Sequence, residues 1–370
     1  MHNLIAIFGT SAKKNENRIP LHPSLFHTIP QEVKKHLIFE KGYGRRFNIN
    51  DDYFIKNFAG VAERKDLFLT SNVWVLPKPE QEDYKYFSSG KILFGWLHCV
   101  QGYEITQAAI ENNMTLISWE SMYGGNDNTH IFNRNNELAG YAAVQHMLML
   151  QGINGYFGKK LKAAVLGFGA TGRGSINSLK SLGINDITVF SNRPTFLIKS
   201  PIESIDYRKI THNNNDVYLE DDKKNIVEPI EVLNKFDIII NCILQNPVSP
   251  ITFIHNKEIN KIDKRTIIID ISCDKGMGFE FARPTNFSKP FISINENINY
   301  YCIDNTPSIY WESASYEITK SLTPFLELFI NNSWKDDIII KNAIEIENGI
   351  IKNKKIIDFQ KRNKDYPYKI

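Results

Sequence analysis

AAVLGFGATGRGSINSLKSLGINDITVFSNRP, residues 163–194, is the stretch that decides the fold. Residues 163–166 form a short apolar run and residues 187–190 form another. Between them Gly167, Gly169 and Gly172 satisfy G-x-G-x-x-G, with Phe168, Ala170 and Thr171 at the open positions. Over 175–182 the apolar residues Ile176, Leu179 and Leu182 recur at a helical spacing, and Gly183 ends that helix. Strand, glycine turn, helix and strand within about 30 residues is the context in which the motif holds a dinucleotide. Gly167 would make the tight turn, Gly169 would let backbone approach the pyrophosphate, and Gly172 would let helix and strand lie close. The pyrophosphate would then rest at the positive end of the helix, against Ala170 and Thr171.

The second strand ends in Ser191-Asn192-Arg193. An NAD site usually places an acid there to bond the ribose 2′-hydroxyl. Here a cation and two neutral hydrogen-bonding residues stand instead, a set that holds a 2′-phosphate and has no carboxylate to repel it. The expected cofactor is therefore NADP(H), with Arg173 as a second cation in the first helical turn.

Composition narrows the class. The chain has 370 residues, 42% hydrophobic and 23% charged, which suits two or three globular domains. A net charge of +3, with its Lys and Arg scattered, gives no reason to expect nucleic acid or membrane as partner. No apolar run reaches membrane-spanning length, and MHNLIAIFGT reads as a first strand rather than a signal peptide. Cys99, Cys242, Cys273 and Cys302 lie far apart beside apolar runs. They read as buried thiols of a cytoplasmic protein, without metal-site or disulfide spacing.

Working outward, residues 1–133 alternate strands and helices. Strands are expected at 4–8, 37–40, 73–76, 92–97 and 115–119, and helices at 29–35, 51–58 and 105–112. That alternation implies a mostly parallel sheet, and ligands bind beyond the carboxyl ends of such strands. Lys78 and His98 both fall just past a strand end. Residues 124–136 read as a polar loop and 137–151 as a long helix. The segment 199–224 reads as polar and irregular. Strands at 236–242 and 267–271 lead into the loops 243–247, which holds Leu244, and 272–274. A short strand at 299–303 precedes Asp304-Asn305-Thr306-Pro307, and 316–330 reads as a helix that Pro324 would kink or break. The tail 343–370 is a hairpin or a helix-linker.

Several of these stretches resemble one family, that of alanine dehydrogenase, lysine-forming saccharopine dehydrogenase and N5-(carboxyethyl)ornithine synthase. NENRIPLHP (15–23) resembles its opening basic loop, and LPKP (76–79) and LFGWLHC (93–99) its lysine and histidine segments. RNNELAG (134–140) resembles the entry to its inter-domain helix, and IIDISCDKGMGFEFARPT (268–285) and IDNTPS (303–308) its last active-site segments. The wording of SWESMYGG (118–125), ISCDKGMGFE (271–280) and the closing residues 347–368 is most similar to the carboxyethyl-ornithine branch. The resemblance implies two Rossmann-type α/β domains with a cleft between them. Residues 1–133 and 306–370 would carry the substrate, residues 134–305 would bind NADP, and the chain would be a homo-oligomer.

The implied reaction joins a 2-oxo acid to an amino acid's primary amine and reduces the imine by hydride. Pyruvate and the side-chain amine of ornithine, or lysine, would be the pair. Arg18 would clamp the 2-oxo acid carboxylate. Lys78 would bond the keto oxygen or exchange protons, and His98 would shuttle protons near neutral pH. Asp274 would orient the amine or the nicotinamide ribose, and Asn305 and Leu244 would meet the cofactor, although Asp274 and Asn305 can also simply cap turns. Glu16, His22, Glu120 and His130 are further options for holding the amino-acid end. An alanine dehydrogenase using ammonia, a saccharopine dehydrogenase and a non-catalytic nucleotide sensor are the competing readings.

Overall fold

The computed structural model describes residues 3–125, 128–213, 216–246 and 249–370. Residues 126 and 127 of the polar 124–136 segment, and Pro247 of the 243–247 loop, lie outside the described residues. The chain divides into two compact units, Met1–Asn135 with Trp311–Ile370, and Asn136–Tyr310.

The first unit is built on an 8-stranded sheet. Its order is Ile350–Ile351, Ile344–Glu347, Thr115–Ser118, Ile92–Gly95, Val73–Val75, Ile5–Ile7, Leu37–Glu40, Gly60–Ala62. The strands from Thr115–Ser118 to Gly60–Ala62 are all parallel. Numbered along the chain they run 3-2-1-4-5-6, the doubly wound order. IAI, VWV and ILFG are buried throughout, because helices cover both faces of a parallel sheet. Alternate residues feed opposite cores. Ile5, Val73 and Phe94 pack on one face with Phe329, while Ala6, Trp74 and Leu93 pack on the other.

The second unit repeats the plan in a 9-stranded sheet. Its parallel centre runs Asp206–Asn213, Asp186–Ser191, Lys162–Leu166, Ile238–Asn241, Thr266–Asp270, Ile298–Tyr301, again the 3-2-1-4-5-6 order. The Ala170–Ser181 helix follows the glycine turn and lies against the Asn133–Leu150 helix. Glycines permit this contact: a Cβ on Gly174 would meet Glu137 O at 1.8 Å, and one on Gly140 would meet Thr171 O at 1.9 Å.

Three local expectations need correction. Residues 206–213 and 216–220 are not irregular but form an antiparallel pair of strands, Asp206–Asn213 and Asp216–Glu220. That pair lies toward the edge of the sheet, where only Ile210, Val217 and Leu219 need be apolar and buried. The long helix begins at Asn133, inside the segment read as a polar loop. Finally, Trp311–Ile330 is one helix through Pro324. The tail takes the hairpin alternative, with Ile344–Glu347 antiparallel to Thr115–Ser118 and to Ile350–Ile351.

Candidate functional site

In the first unit the candidate residues gather at the carboxyl ends of the parallel strands. A Cβ on Gly95 would lie 2.0 Å from Leu76 O, so two neighbouring strand ends converge where a side chain would part them. Beyond them Trp96 N donates to Pro77 O at 2.9 Å. This brings Lys78 and His98 together, with Lys78 Nζ 2.7 Å from His98 Nε2. Lys78 is buried between its two prolines, and its carbonyl accepts from Ser11 Oγ. His98 takes a left-handed backbone, φ 49°, closed by a Gly102 N–H bond to its carbonyl at 2.7 Å. The Glu120 carboxylate accepts from His98 N and, at 3.2 Å, from Leu97 N. Its Oε1 also stands 3.8 Å from His98 Nδ1. With Lys78 as an ammonium donor, Nε2 accepts and the ring proton sits on Nδ1, facing Glu120. Glu120 was only an option for binding the amine; here it holds the histidine.

Arg18 is 5% exposed and lies over the Trp96 ring, 4.3 Å from its centroid. Glu16 takes one edge of its guanidinium, with Nε–Oε1 at 2.8 Å and NH2–Oε2 at 2.6 Å, and Asn135 accepts from NH1 at 3.3 Å. Burial would raise the Glu16 pKa, but the Arg18 charge and hydrogen bonds and the Lys78 charge outweigh it and hold the carboxyl below its usual range. Arg18 is thus fixed in place by an ion pair. Five donors belong to a guanidinium, and these contacts involve three of them. His22 and His130 serve local structure instead. His22 Nδ1 accepts from Ser24 N at 3.2 Å, and His130 Nδ1 accepts from Phe132 N at 3.1 Å.

The residues that sequence reasoning missed stand at the other strand ends of this unit. Glu40, last in Leu37–Glu40, accepts from Gly9 N and Thr10 N, each at 2.8 Å, and from Thr10 Oγ1 at 2.6 Å. Arg45 and Arg46 follow on the next loop. The signal was available: Glu40 closes the second strand of a doubly wound sheet, where an acid has a known task.

In the second unit, Gly167 has φ +98°, and a Cβ on Gly172 would meet Gly167 O at 2.2 Å, so both positions demand glycine. A Cβ on Gly169 would meet nothing within 4 Å. No side chain caps the helix beginning at Ala170-Thr171. Open space before uncapped first-turn amides fits a dinucleotide pyrophosphate. Ser191 is buried and its Oγ accepts from Arg193 N at 3.1 Å. Asn192 Oδ1 lies 3.1 Å from His212 Nε2. Arg193 is exposed. Arg173 is not aimed outward as a second phosphate cation, because its guanidinium covers Phe168 and donates to the carbonyls of Lys199 and Ser200. Leu244 is 83% exposed on the loop after Ile238–Asn241. Asn305 is buried, and its carbonyl accepts from Ser308 N at 3.0 Å.

Asp274 follows Cys273, which takes φ 58°, and burial raises its carboxyl pKa. Beneath it lies Asp270, wholly buried, bonded by Tyr300 OH at 2.7 Å and Asn241 Nδ2 at 3.0 Å. Burial pushes its pKa up to about 7 despite those two bonds. All four cysteines are free, Cys99 and Cys302 buried and Cys242 and Cys273 partly so. Among the described residues no group of His, Cys, Asp and Glu could hold a metal, and no helix is long and apolar enough to cross a membrane.

Two doubly wound sheets, one opening on a G-x-G-x-x-G turn, define a two-domain dinucleotide-binding class. Residues 11–139 match the family model for the alanine dehydrogenase/PNT N-terminal domain, and residues 138–354 match that for the C-terminal domain. The chain belongs to the alanine dehydrogenase/PNT family of oxidoreductases. It is 26% identical over 325 residues to an N(5)-(carboxyethyl)ornithine synthase of Clostridium botulinum, covering 82% of this chain and 91% of that one. It is 23% identical over 345 residues to an alanine dehydrogenase of Staphylococcus haemolyticus, covering 90% and 89%. A solved L-alanine dehydrogenase matches with a TM-score of 0.74 at 18% identity, over 96% of this chain and 99% of that one.

Proposed function

We propose that the chain is an NADP-dependent opine-type reductase. It joins pyruvate to the side-chain amine of ornithine, or lysine, and gives an N-(carboxyethyl) amino acid. The carrying observation is the Lys78 Nζ to His98 Nε2 contact of 2.7 Å, in the unit that also holds the buried Arg18. A pair that shares a hydrogen bond can pass a proton, which is what condensation of an amine with a ketone requires.

Arg18 binds the 2-oxo acid carboxylate with donors that Glu16 and Asn135 do not use. Lys78 bonds the keto oxygen as the amine nitrogen attacks the keto carbon. The carbinolamine then loses its oxygen as water, taking one proton through the Lys78–His98 pair, and the C=N bond forms. NADPH, held by Gly167, Gly169, Ala170, Thr171 and Gly172, would supply the hydride to that carbon. The balance is amine, 2-oxo acid, NADPH and one proton in, and secondary amine, NADP+ and water out. Asp274 orients the amine, and Asn305 and Leu244 bound the nicotinamide end.

The ornithine choice is supported by the carboxyethylornithine synthase of Clostridium botulinum and by a second one, of Lactococcus lactis, at 24% identity over 322 residues. The NADP choice is supported by Ser191-Asn192-Arg193, with its exposed cation and no acid. An assay of NADPH oxidation decides both. Pyruvate plus ornithine should outpace pyruvate plus ammonia and 2-oxoglutarate plus lysine, and a faster rate with ammonia makes the chain an alanine dehydrogenase. Arg193→Ala should raise KM for NADPH about tenfold while leaving that for NADH unchanged. A wild type that prefers NADH removes the NADP assignment.

A further inference from the structure

The loops after the Ile5–Ile7 and Leu37–Glu40 strands border a half-open cavity of about 370 Å³. It occupies, in the first unit, the topological position that the dinucleotide turn occupies in the second. It is not a second nucleotide site. Glu40 already takes the Gly9 and Thr10 amides. A Cβ on Gly9 would lie 2.7 Å from the Tyr43 ring, so that turn is closed over by an aromatic side chain.

The charges lining the cavity are unequally matched. Glu16 is paired with Arg18, Glu40 is held by its backbone donors, and Lys41 is paired with Glu63 at 2.6 Å. Arg46 gives one nitrogen to Asn17 O at 2.7 Å and lies 4.1 Å from the centroid of the Trp311 ring. The Arg45 guanidinium has no hydrogen-bond or ion-pair partner among the described residues. Arg46 itself lines the cavity, and the stacking on Trp311 limits the arc of its guanidinium. What remains unmatched is therefore cationic, and it is guanidinium, which grips a carboxylate with two parallel bonds.

We propose that this cavity binds the distal carboxylate of the amine substrate, which Arg45 and Arg46 recognise. The inference rests on the reading of the chain as an amine–2-oxo acid reductase. Its physical basis is a shared wall. Glu16 and Asn17 line the cavity, and Arg18, the clamp for the 2-oxo acid, is next in sequence and bonded to Glu16. An amine reacting near Arg18, with a short alkyl chain ending in a carboxylate, can reach round that wall. Ammonia has nothing to place there, so the cavity separates an amino-acid amine from free ammonia.

The test is calorimetric titration of ornithine, 5-aminopentanoate and 1-aminobutane into the full chain with NADP+ and into an Arg45→Gln, Arg46→Gln double variant. Ornithine and 5-aminopentanoate should bind the wild type and weaken about tenfold or more in the double variant. Arg46→Lys should restore part of that loss. NADPH affinity, which belongs to the other unit, reports that the variants are folded. Equal affinity of both proteins for ornithine overturns the proposal, and so does a wild type that binds 1-aminobutane as well as 5-aminopentanoate or binds neither carboxylate. A companion assay separates this from the proposed reaction. If ornithine is condensed with pyruvate and the imine reduced with the same KM for ornithine in both proteins, the cavity assignment fails and the reaction stands. If ornithine binds through the arginines but only ammonia is turned over, the reaction fails and the cavity stands.

Discussion

The two units share one strand order and differ at one position. In the first, the second strand ends in Glu40, whose carboxylate fills the turn after the first strand by accepting from Gly9 N and Thr10 N. In the second, the matching strand ends in Ser191, whose hydroxyl turns to its own Arg193 N–H, and the turn after the first strand keeps open space before Gly169. One carboxylate thus decides whether a glycine turn is satisfied by its own unit or left for an anionic ligand. The fold supplies the same backbone donors twice, and side chains at the strand ends assign them different work.

The largest way to test this division is to disable the chemistry proposed for the first unit alone. A Lys78→Met, His98→Gln double variant should lose about a thousandfold or more in kcat, with NADPH affinity by fluorescence titration unchanged. Full turnover would remove both residues from the site. Next in size come two glycine variants of the second unit. Gly172→Ala forces a methyl against Gly167 O, 2.2 Å away, and should destabilise by about 3 kcal/mol. Gly169→Ala meets nothing and should leave Tm in place while weakening NADPH about tenfold, because the methyl enters the space a pyrophosphate needs. If the two variants behave alike, the turn is not shaped for a ligand.

A smaller effect is expected from Glu40→Gln. It removes the charge from two backbone bonds and should raise amide exchange at Gly9 and Thr10 by about 2 kcal/mol of local opening. Unchanged exchange would mean the carboxylate does not hold the turn. A pH effect of comparable size is expected at Asp270. Its folded pKa, about 7, lies above its ordinary value of 3.8. The native state therefore holds the proton more tightly, and the stability this gives is complete below the ordinary value and lost as pH rises through about 7. The Tm of Asp270→Asn relative to wild type should move in the variant's favour between about pH 5 and pH 8. A constant difference over that window would show that Asp270 is ionised throughout.

Much of this architecture was readable because parallel strands buried on both faces are plain apolar runs. IAI, VWV, ILFG and TIIID announce themselves, and Leu37–Glu40 falls where its four residues suggest. The Asp206–Asn213 and Asp216–Glu220 strands did not, because a pair toward a sheet edge needs few apolar residues and theirs are separated by charges. The first turns of the Ala170–Ser181 helix are read from the motif and not from helix propensity. Gly172 and Gly174 look like helix breakers, yet tight packing against Gly167 O and Glu137 O requires them inside a helix. Lys78 and His98 were singled out from their places after strand ends, but their contact depends on Gly95, which carries no chemical signal of its own. Glu40 and Arg45 lay outside the motifs and were legible only by applying the second unit's strand-end rule to the first.

The discontinuity of the first unit bears on how the protein is made. The nascent chain delivers all six of its parallel strands early and then must synthesise all of Asn136–Tyr310 before the Trp311–Ile330 helix and the Ile344–Glu347 strand arrive. At about 5–20 residues per second that interval lasts roughly 10–35 seconds. Throughout it Thr115–Ser118 stands as an uncovered sheet edge, and Ile5, Val73 and Phe94 lack the helix that seals them. The second unit is continuous and can complete itself meanwhile. A ribosome that stops short of the last strand would therefore release a sound nucleotide-binding half joined to a sticky, unfinished one, a fit object for chaperones and proteases.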